Sequence, residues 1–290
     1  MTNSPHANYY ADNLTQERVS LVSIREVGKA TYNLRFSSPT LAKKLTPGQF
    51  LMVRLADLND PLIGRALAIY NILPSQDGNP HDLEVVFLVE GKFTSLAQTL
   101  RPGDQLEVWG PLGNGFPPRK TDHLVMVAGG VGITPFLLLG KEYLGLQSFG
   151  RPDARADRVT LCYGARSAEY LSCLDDYAAA EIPTKLSTDD GSRGHHGPVT
   201  DLVASVISEA KTKGETIEVV CCGPEPMMKA VAKLTAKEEV SCQVSLETPM
   251  ACGIGICFSC VAEVYQEDGQ PDYKRTCVEG PVFDAEKISW

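Results

Sequence analysis

Cys252, Cys257 and Cys260 stand in the run MACGIGICFSC at 250–260, and a fourth thiol, Cys277, follows in YKRTCVEGP. A C-x4-C-x2-C run followed by one more Cys is the ligand order of a plant-type 2Fe-2S centre, which takes four thiolates. Gly253 and Gly255 let the backbone fold closely around an inorganic core and aim N–H groups at its sulfurs. The same residues admit two other readings: a four-thiolate zinc site, usually built from two C-x2-C pairs, and unrelated buried thiols. Only 277 − 260 = 17 positions separate the third and fourth Cys, and the segment 246–290 is far shorter than a ferredoxin domain, so a small cluster module is expected.

A second candidate lies at Gly129, Gly130, Val131, Gly132, Ile133, Thr134 and Pro135, after the apolar run HLVMVAGG and with Pro135 placed to start a helix. Bare N–H groups at such a point can hold a pyrophosphate. No third Gly completes a GxGxxG fingerprint and no acidic residue marks the end of the next strand, so a packing turn competes with nucleotide binding. His195 and His196 invite a metal reading, but adjacent His side chains diverge on a loop and no other ligand stands beside them.

These residues need three scaffolds. From 17 to 120 the runs RVSLVSIRE, TYNLRFS, FLMVRL, ALAIYNI, LEVVFLV and QLEVWG are short, β-rich and separated by turn residues, with one helix expected near 94–100. That pattern predicts a closed antiparallel barrel. From 121 to 245, apolar runs alternate with helical periods and predict an open parallel α/β sheet of about five strands, which binds ligands beyond its strand C-termini. Residues 246–290 form the cluster module. The first sixteen residues are polar, lack the apolar core of a signal peptide and read as a loose tail.

Composition narrows the classes. A formal charge of −9 without a Lys/Arg run leaves no footprint for nucleic acid. The uncharged stretch 124–140 is short and broken by four Gly and Pro135, which fits a buried strand, turn and helix rather than a membrane span. Cys162, Cys173, Cys221, Cys222 and Cys242 form an odd remainder without disulfide-scaffold spacing, which points to a reducing cytoplasm.

SLETPMACGIGICFSCVAEV followed by YKRTCVEGPVFDAEKI closely resembles the C-terminal cluster domain of the electron-transfer subunits of class B dihydroorotate dehydrogenases, iron–sulfur flavoproteins of the ferredoxin-reductase superfamily. PGQF (47–50), GRALAIYN (64–71) and VEGKFTSL (89–96) are ordered like that superfamily's flavin loops. The resemblance implies that Arg65 meets the FAD pyrophosphate, on a strand continuing through Ala66, Leu67 and Ala68, and that Gly91, Thr94 and Ser95 open a helix onto a phosphate. A guanidinium pairs bidentately with phosphate and a helix start offers free N–H groups. Read without it, Arg65 is a surface residue and Thr94 a helix cap. The superfamily has a hydroxyl where this chain has Ala68, and the backbone N–H groups of Leu67 and Ile69 are the expected substitutes. GPLGNGF (110–116) matches as the linker. CCGPEPMM at 221–228 resembles the motif beside nicotinamide, giving Cys222, Gly223 and Pro224 that role alongside Gly129, Gly130 and Gly132, with Cys221 assigned to packing. STDDGSRGHHGPVTD implies that Asp190 and Gly191 border the adenosine, where Asp189 and Asp190 disfavour a 2′-phosphate if they face the ribose.

The implied function is passage of electrons from an FMN-bearing, dihydroorotate-oxidising partner through a 2Fe-2S cluster and FAD to NAD+ in pyrimidine synthesis, in a heterotetramer of two copies of each subunit. Ile254, Ile256 and Phe258 are the expected apolar contact with that partner, unless they simply pack the module. Two alternatives remain: an electron-transfer subunit of a ferredoxin:NADP+ or sulfide-type oxidoreductase, and a zinc-holding regulatory or binding protein.

Overall fold

A computed structural model describes residues 13–290 of the chain, so positions 1–12 of the expected tail lie outside the described residues. The chain is already in a strand at Thr15, two residues before the expected start of the barrel. Six strands close that barrel in the order β1-β2-β5-β4-β3-β6: β1 (Thr15–Gly28), β2 (Thr31–Ser37), β3 (Phe50–Leu55), β4 (Arg65–Pro74), β5 (Pro80–Leu88) and β6 (Gln105–Leu112). Closure depends on the length of β1. Its first residues, Thr15–Ser20, pair with β6, and after an irregularity at Leu21 the remainder pairs with β2. Period-2 alternation drives Leu34, Phe36, Leu51, Val53, Leu67 and Ile69 inward, where helix α2 (Lys92–Ala97) adds Phe93 and Ala97 to the same core. The helix thus begins two residues earlier than expected. A short α1 (Pro39–Ala42) is capped by Ser38.

The second sheet runs β10-β9-β8-β7-β11-β12-β15. Its parallel members are β7 (Lys120–Gly129), β8 (Arg155–Ala165), β9 (Thr184–Thr188), the two-residue β10 (His195–His196), β11 (Ile217–Cys222) and β12 (Ser241–Ser245). One face is covered by α3 (Phe136–Tyr143) and α4 (Leu174–Ala179), through Phe136, Tyr143 and Tyr177, and the other by α5 (Val199–Lys213) and α6 (Glu225–Lys237), through Val203, Ile207 and Val231. The chain leaves β7 for β8 and β9 on one side and returns to β11 and β12 on the other. A crevice therefore opens between the ends of β7 and β11, where open α/β sheets take ligands. No helix among the described residues is long and apolar enough to cross a membrane.

The C-terminal segment leaves β12, forms the thiol loop and a hairpin of β13 (Val261–Tyr265) and β14 (Pro271–Arg275), then returns as β15 (Val282–Asp284), antiparallel to β12. The module is therefore stitched into the sheet from which it departs. Asn114, in the Gly-rich linker, binds it by donating its side-chain N–H to the carbonyls of Glu279 (3.2 Å) and Val282 (2.8 Å) and accepting from Val282 N–H (3.1 Å). Arg119 clamps Asp284 to Glu218 of β11, at 3.0 Å each.

Candidate functional site

The thiol loop packs on the flank of the barrel. Gly253 and Gly255 have φ of +74° and +79°, and a Cβ on either would lie 2.6 Å from a side-chain carbon, Met52 Cγ or Val278 Cγ2 respectively. Only glycine satisfies both the turn and the fit. Trp109 Nε1 donates to the Cys252 carbonyl (3.1 Å), Arg275 Nη1 donates to the Gly255 carbonyl (3.1 Å), and Thr276 donates its N–H (2.8 Å) and its hydroxyl (3.0 Å) to the Cys260 carbonyl.

The four thiols fall into two pairs. Cys260 and Cys277 are buried, with sulfurs 3.2 Å apart, while Cys257 is exposed and Cys252 half-buried. Among the described residues no three His, Cys, Asp or Glu side chains converge on one ion position. Two thiolates for each of two irons is what a two-iron centre asks of four Cys, so the donor set fits the group. Cys257 and Cys277 differ in proton affinity. The Ser259 hydroxyl and backbone, and after them Cys252, pull the Cys257 thiol down to about 6. Burial, and then Cys260, push Cys277 up to about 12, so metal binding must displace a firmly held proton there. Ile254 packs inward beside Met52 and Leu112, whereas Ile256 (72% exposed) and Phe258 (63%) project to solvent. The expected apolar triad is thus split, one residue packing and two presented.

Beside this loop runs a cleft of about 720 Å³ lined from all three parts of the chain. The barrel contributes Arg65, Ala66, Leu67, Ala68, Gly91 and Thr94, the sheet contributes Gly132 and Cys222, and the C-terminal segment contributes Ala251 and Ser259. Alternation along β4 sends Leu67 and Ile69 toward the barrel core and leaves Ala66 and Ala68 half-buried on the opposite face. Arg65 is exposed, its guanidinium donates only to the nearby carbonyls of Ile63 (3.3 Å) and Gly64 (3.2 Å), and it makes no salt bridge among the described residues. The Thr94 hydroxyl accepts from the N–H groups of Glu90 (2.9 Å) and Gly91 (3.0 Å), so it caps α2 while facing the cleft. Ser95 is exposed and outside the cleft lining. One expectation is corrected: the Ile69 N–H already donates to the Gln49 carbonyl (3.0 Å) and cannot replace the hydroxyl missing at Ala68.

The crevice between β7 and β11 is built by two interlocking turns, brought side by side because Cys222 pairs with Ala128. A Cβ on Gly132 would lie 2.3 Å from the Cys222 carbonyl oxygen, one on Gly129 would lie 2.5 Å from Met227 Sδ and 2.8 Å from Pro224 Cδ, and one on Gly223 (φ +153°) would lie 2.7 Å from Met227 Cε. These glycines serve close packing of turn on turn. Gly130 differs, with φ of +53° and nothing within 4 Å of its added Cβ. Desolvation, and then the Glu247 carboxylate, push the Cys222 thiol up to about 12, leaving it a neutral thiol in the cleft wall.

At the sheet edge, Asp190 accepts from the N–H (2.9 Å) and hydroxyl (2.6 Å) of Ser192, which stiffens the turn around Gly191. His195 Nε2 pairs with Asp201 at 2.8 Å, and the His196 ring lies against Gly191, so the two imidazoles diverge. Sequence reasoning missed Trp109, Met52 and the Thr248–Thr276 hydroxyl pair, which tie the loop to the barrel and the cleft to the Cys260 carbonyl. Their partners are distant in sequence, so no local signal marks them. Ser259 lies inside the motif itself, between Cys257 and Cys260.

Three family models match the chain: an oxidoreductase FAD-binding domain over residues 18–116, an oxidoreductase NAD-binding domain over 126–233, and the iron-sulfur cluster binding domain of dihydroorotate dehydrogenase B over 247–289. The last sets aside the zinc reading. Among solved structures, that of an NADH-dependent reduced ferredoxin-NADP oxidoreductase studied for flavin-based electron bifurcation is similar, with a TM-score of 0.74 and 27% identity over 94% of this chain and 90% of that one. The ferredoxin reductase of carbazole 1,9a-dioxygenase shares the fold, at a TM-score of 0.59 and 19% identity over 78% and 67% of the two chains. The dihydroorotate dehydrogenase B (NAD(+)) electron transfer subunit of Desulforamulus reducens is 33% identical over 93% of this chain and 97% of its own length, and that of Geobacillus kaustophilus is 33% identical over 94% and 98%. Aligned with these relatives almost from end to end, the chain belongs to the family of dihydroorotate dehydrogenase B electron-transfer subunits.

Proposed function

We propose that this oxidoreductase subunit passes electrons from a dihydroorotate-oxidising, FMN-bearing catalytic subunit through a 2Fe-2S cluster and FAD to NAD+, in the cytoplasm and in the service of pyrimidine synthesis. The observation that carries the reading is the single cleft shared by the barrel (17–120), the α/β domain (121–245) and the thiol segment (246–290). When bound, the cluster moves electrons singly, nicotinamide takes them as a hydride, and flavin converts between the two.

Cys252, Cys257, Cys260 and Cys277 hold the cluster at the cleft's edge. Arg65, in no salt bridge among the described residues, pairs with the FAD pyrophosphate, and the N–H groups of the first turn of α2, beyond the Gly91 N–H that Thr94 already takes, hold the phosphate. Ala66 and Ala68, with the backbone of Leu67 between them, form the wall that would face the flavin, with Ser95 at the outer margin. Gly129, Gly132, Gly223 and Pro224 shape the nicotinamide crevice by packing, Gly130 leaves its backbone open to the pyrophosphate, and Cys222 borders the ring. Ile256 and Phe258 meet the catalytic subunit in a heterotetramer of two copies of each.

Mixing the chain with its cognate catalytic subunit is expected to yield a stable complex with dihydroorotate:NAD+ activity, while the isolated chain reduces dyes from NADH but does not oxidise dihydroorotate. Ile256→Glu should weaken assembly and spare NADH-driven dye reduction. Dihydroorotate oxidation by the chain alone, or no association at micromolar concentration, would overturn the assignment. The likeness to the electron-bifurcating oxidoreductase supports a second reading, a ferredoxin:NADP+ partner. Association with that class of protein and none with a dihydroorotate-oxidising subunit would select it.

A further inference from the structure

The Ser259 hydroxyl lies outside the ligand set, yet three observations meet on it. It lies 3.1 Å from Cys257 Sγ, it accepts from the Ala251 N–H at 3.2 Å, and its residue lines the cleft assigned to FAD. The second contact is compatible with donation in the first. A backbone N–H can only donate, so it occupies a lone pair on Oγ and leaves the hydroxyl hydrogen free to point at the sulfur. Cys257, once it ligates iron, is a thiolate with no proton of its own, so the bond between them has a single polarity, from Ser259 O–H to Cys257 Sγ.

We propose that Ser259 is a positioning residue that sets the cluster's electron affinity through this bond, from a place in the wall of the cleft. The inference rests on the reading that the four thiols hold a 2Fe-2S cluster. Accepting one electron adds one negative charge, shared between iron and sulfur. A donor aimed at a ligand sulfur stabilises the reduced form more than the oxidised one, and hydrogen bonds to sulfur are among the levers that set such potentials. Among the described residues the Ser259 hydroxyl is the one side-chain hydroxyl, amide or cation within hydrogen-bond distance of Cys257 Sγ, and Cys252, itself a thiolate once it ligates iron, cannot donate there. The Ser259 backbone also acts on Cys257 and is kept in any side-chain variant, while the other loop contacts act on backbone carbonyls or, in Ile254 N–H to Cys252 Sγ at 3.4 Å, on a different sulfur.

The test is an EPR-monitored redox titration of the full chain carrying FAD and cluster, for wild type, Ser259→Ala and Ser259→Thr, with iron and sulfide measured in each. Ser259→Ala should keep its iron and shift the midpoint to a more negative potential, by about tenfold in the reduction equilibrium, or about 59 mV for one electron. Ser259→Thr retains the hydroxyl and should stay near wild type. An Ala variant with full iron and an unchanged midpoint would overturn the proposal. If Ala loses iron, the Thr variant decides: iron and midpoint both preserved support the hydroxyl's role, whereas loss in Thr as well would assign Ser259 to packing and overturn the proposal. A wild-type chain without iron would instead count against the cluster reading itself.

Discussion

The thiol loop and the paired turns at the end of β7 and β11 are both glycine-rich, but their glycines answer to different neighbours. Gly253 and Gly255 adopt left-handed turns pressed onto side chains of other elements, Met52 of the barrel and Val278 of the same module. Gly129, Gly132 and Gly223 are pressed onto a second turn, backbone against backbone or against Pro224 and Met227, and Gly130 alone faces open space. One loop is glycine-rich so that a chemical group can be wrapped; the other is glycine-rich mainly so that two strand ends can approach. A shared composition therefore conceals two physical reasons, and the difference is measurable.

The largest effect is expected where the loop wraps its group. Protein prepared without oxygen should carry about two iron and two sulfide per chain, and Cys260→Ser or Cys277→Ser should lose essentially all of both, since each removes a thiolate from the buried pair. Cys173→Ser should keep full iron, because Cys173 sits beside α4, in the core between sheet and barrel. Iron and sulfide analysis on folded protein decides. Zinc in the native anaerobic protein would break the comparison at its first limb.

The second effect separates the two kinds of glycine within the paired turns. Gly132→Val drives carbon into the Cys222 carbonyl, and overpacking of this sort costs about 1–3 kcal/mol or more, so reduced thermal stability should accompany any loss of activity. Gly130→Asn keeps a left-handed conformation that Asn tolerates and meets no neighbour. It should leave stability nearly unchanged and slow FAD reduction by NADH, seen by stopped-flow absorbance with flavin and iron still bound. Equal behaviour of the two variants would merge the roles that the geometry keeps apart.

How far the sequence could be read follows the same division. The six barrel strands and the alternating α/β pattern were legible because burial in each obeys a local period, and the cluster was legible because four thiols at that spacing have little other use. The return of Val282–Asp284 to β12 was not, since three residues carry no period and their pairing with Gln243–Ser245 spans the whole module. Nor could spacing tell which glycines near 130 face a ligand. That depends on Cys222 and Met227, about ninety positions away. Arg65 was readable as a cation on the right strand, but its freedom from carboxylates among the described residues required the fold.

That freedom sets the third prediction. Arg65→Ala should weaken FAD binding at least tenfold, because a charge-assisted phosphate contact is worth about 1.5–3 kcal/mol, while iron content stays full. Flavin titration of the apo-flavin protein measures it. An unchanged affinity would return Arg65 to the surface and leave Gly91 and Thr94 as the phosphate site.

The smallest effect concerns the far ends of the strands that carry the paired turns. His123, near the start of β7, is 1% exposed and pairs across to Ile217 of β11. Burial, and then the Arg158 guanidinium, hold its pKa down at about 4, with Glu215 opposing them. The contacts agree: Nδ1 accepts from Arg158 Nη2 at 3.1 Å and Nε2–H donates to the Thr160 hydroxyl at 2.9 Å, which suits a neutral ring. Above about pH 6.5 neither the folded nor the unfolded chain protonates this His. Between that value and about 4 the unfolded chain takes up a proton that the folded one refuses, so stability falls as pH falls, with a slope of at most about 1.4 kcal/mol per pH unit. Equilibrium unfolding at pH 7, 6 and 5 should show a loss on the order of 1–2 kcal/mol in wild type and a flatter profile in His123→Gln. A slope that is the same in the variant would place the acid sensitivity elsewhere in the chain.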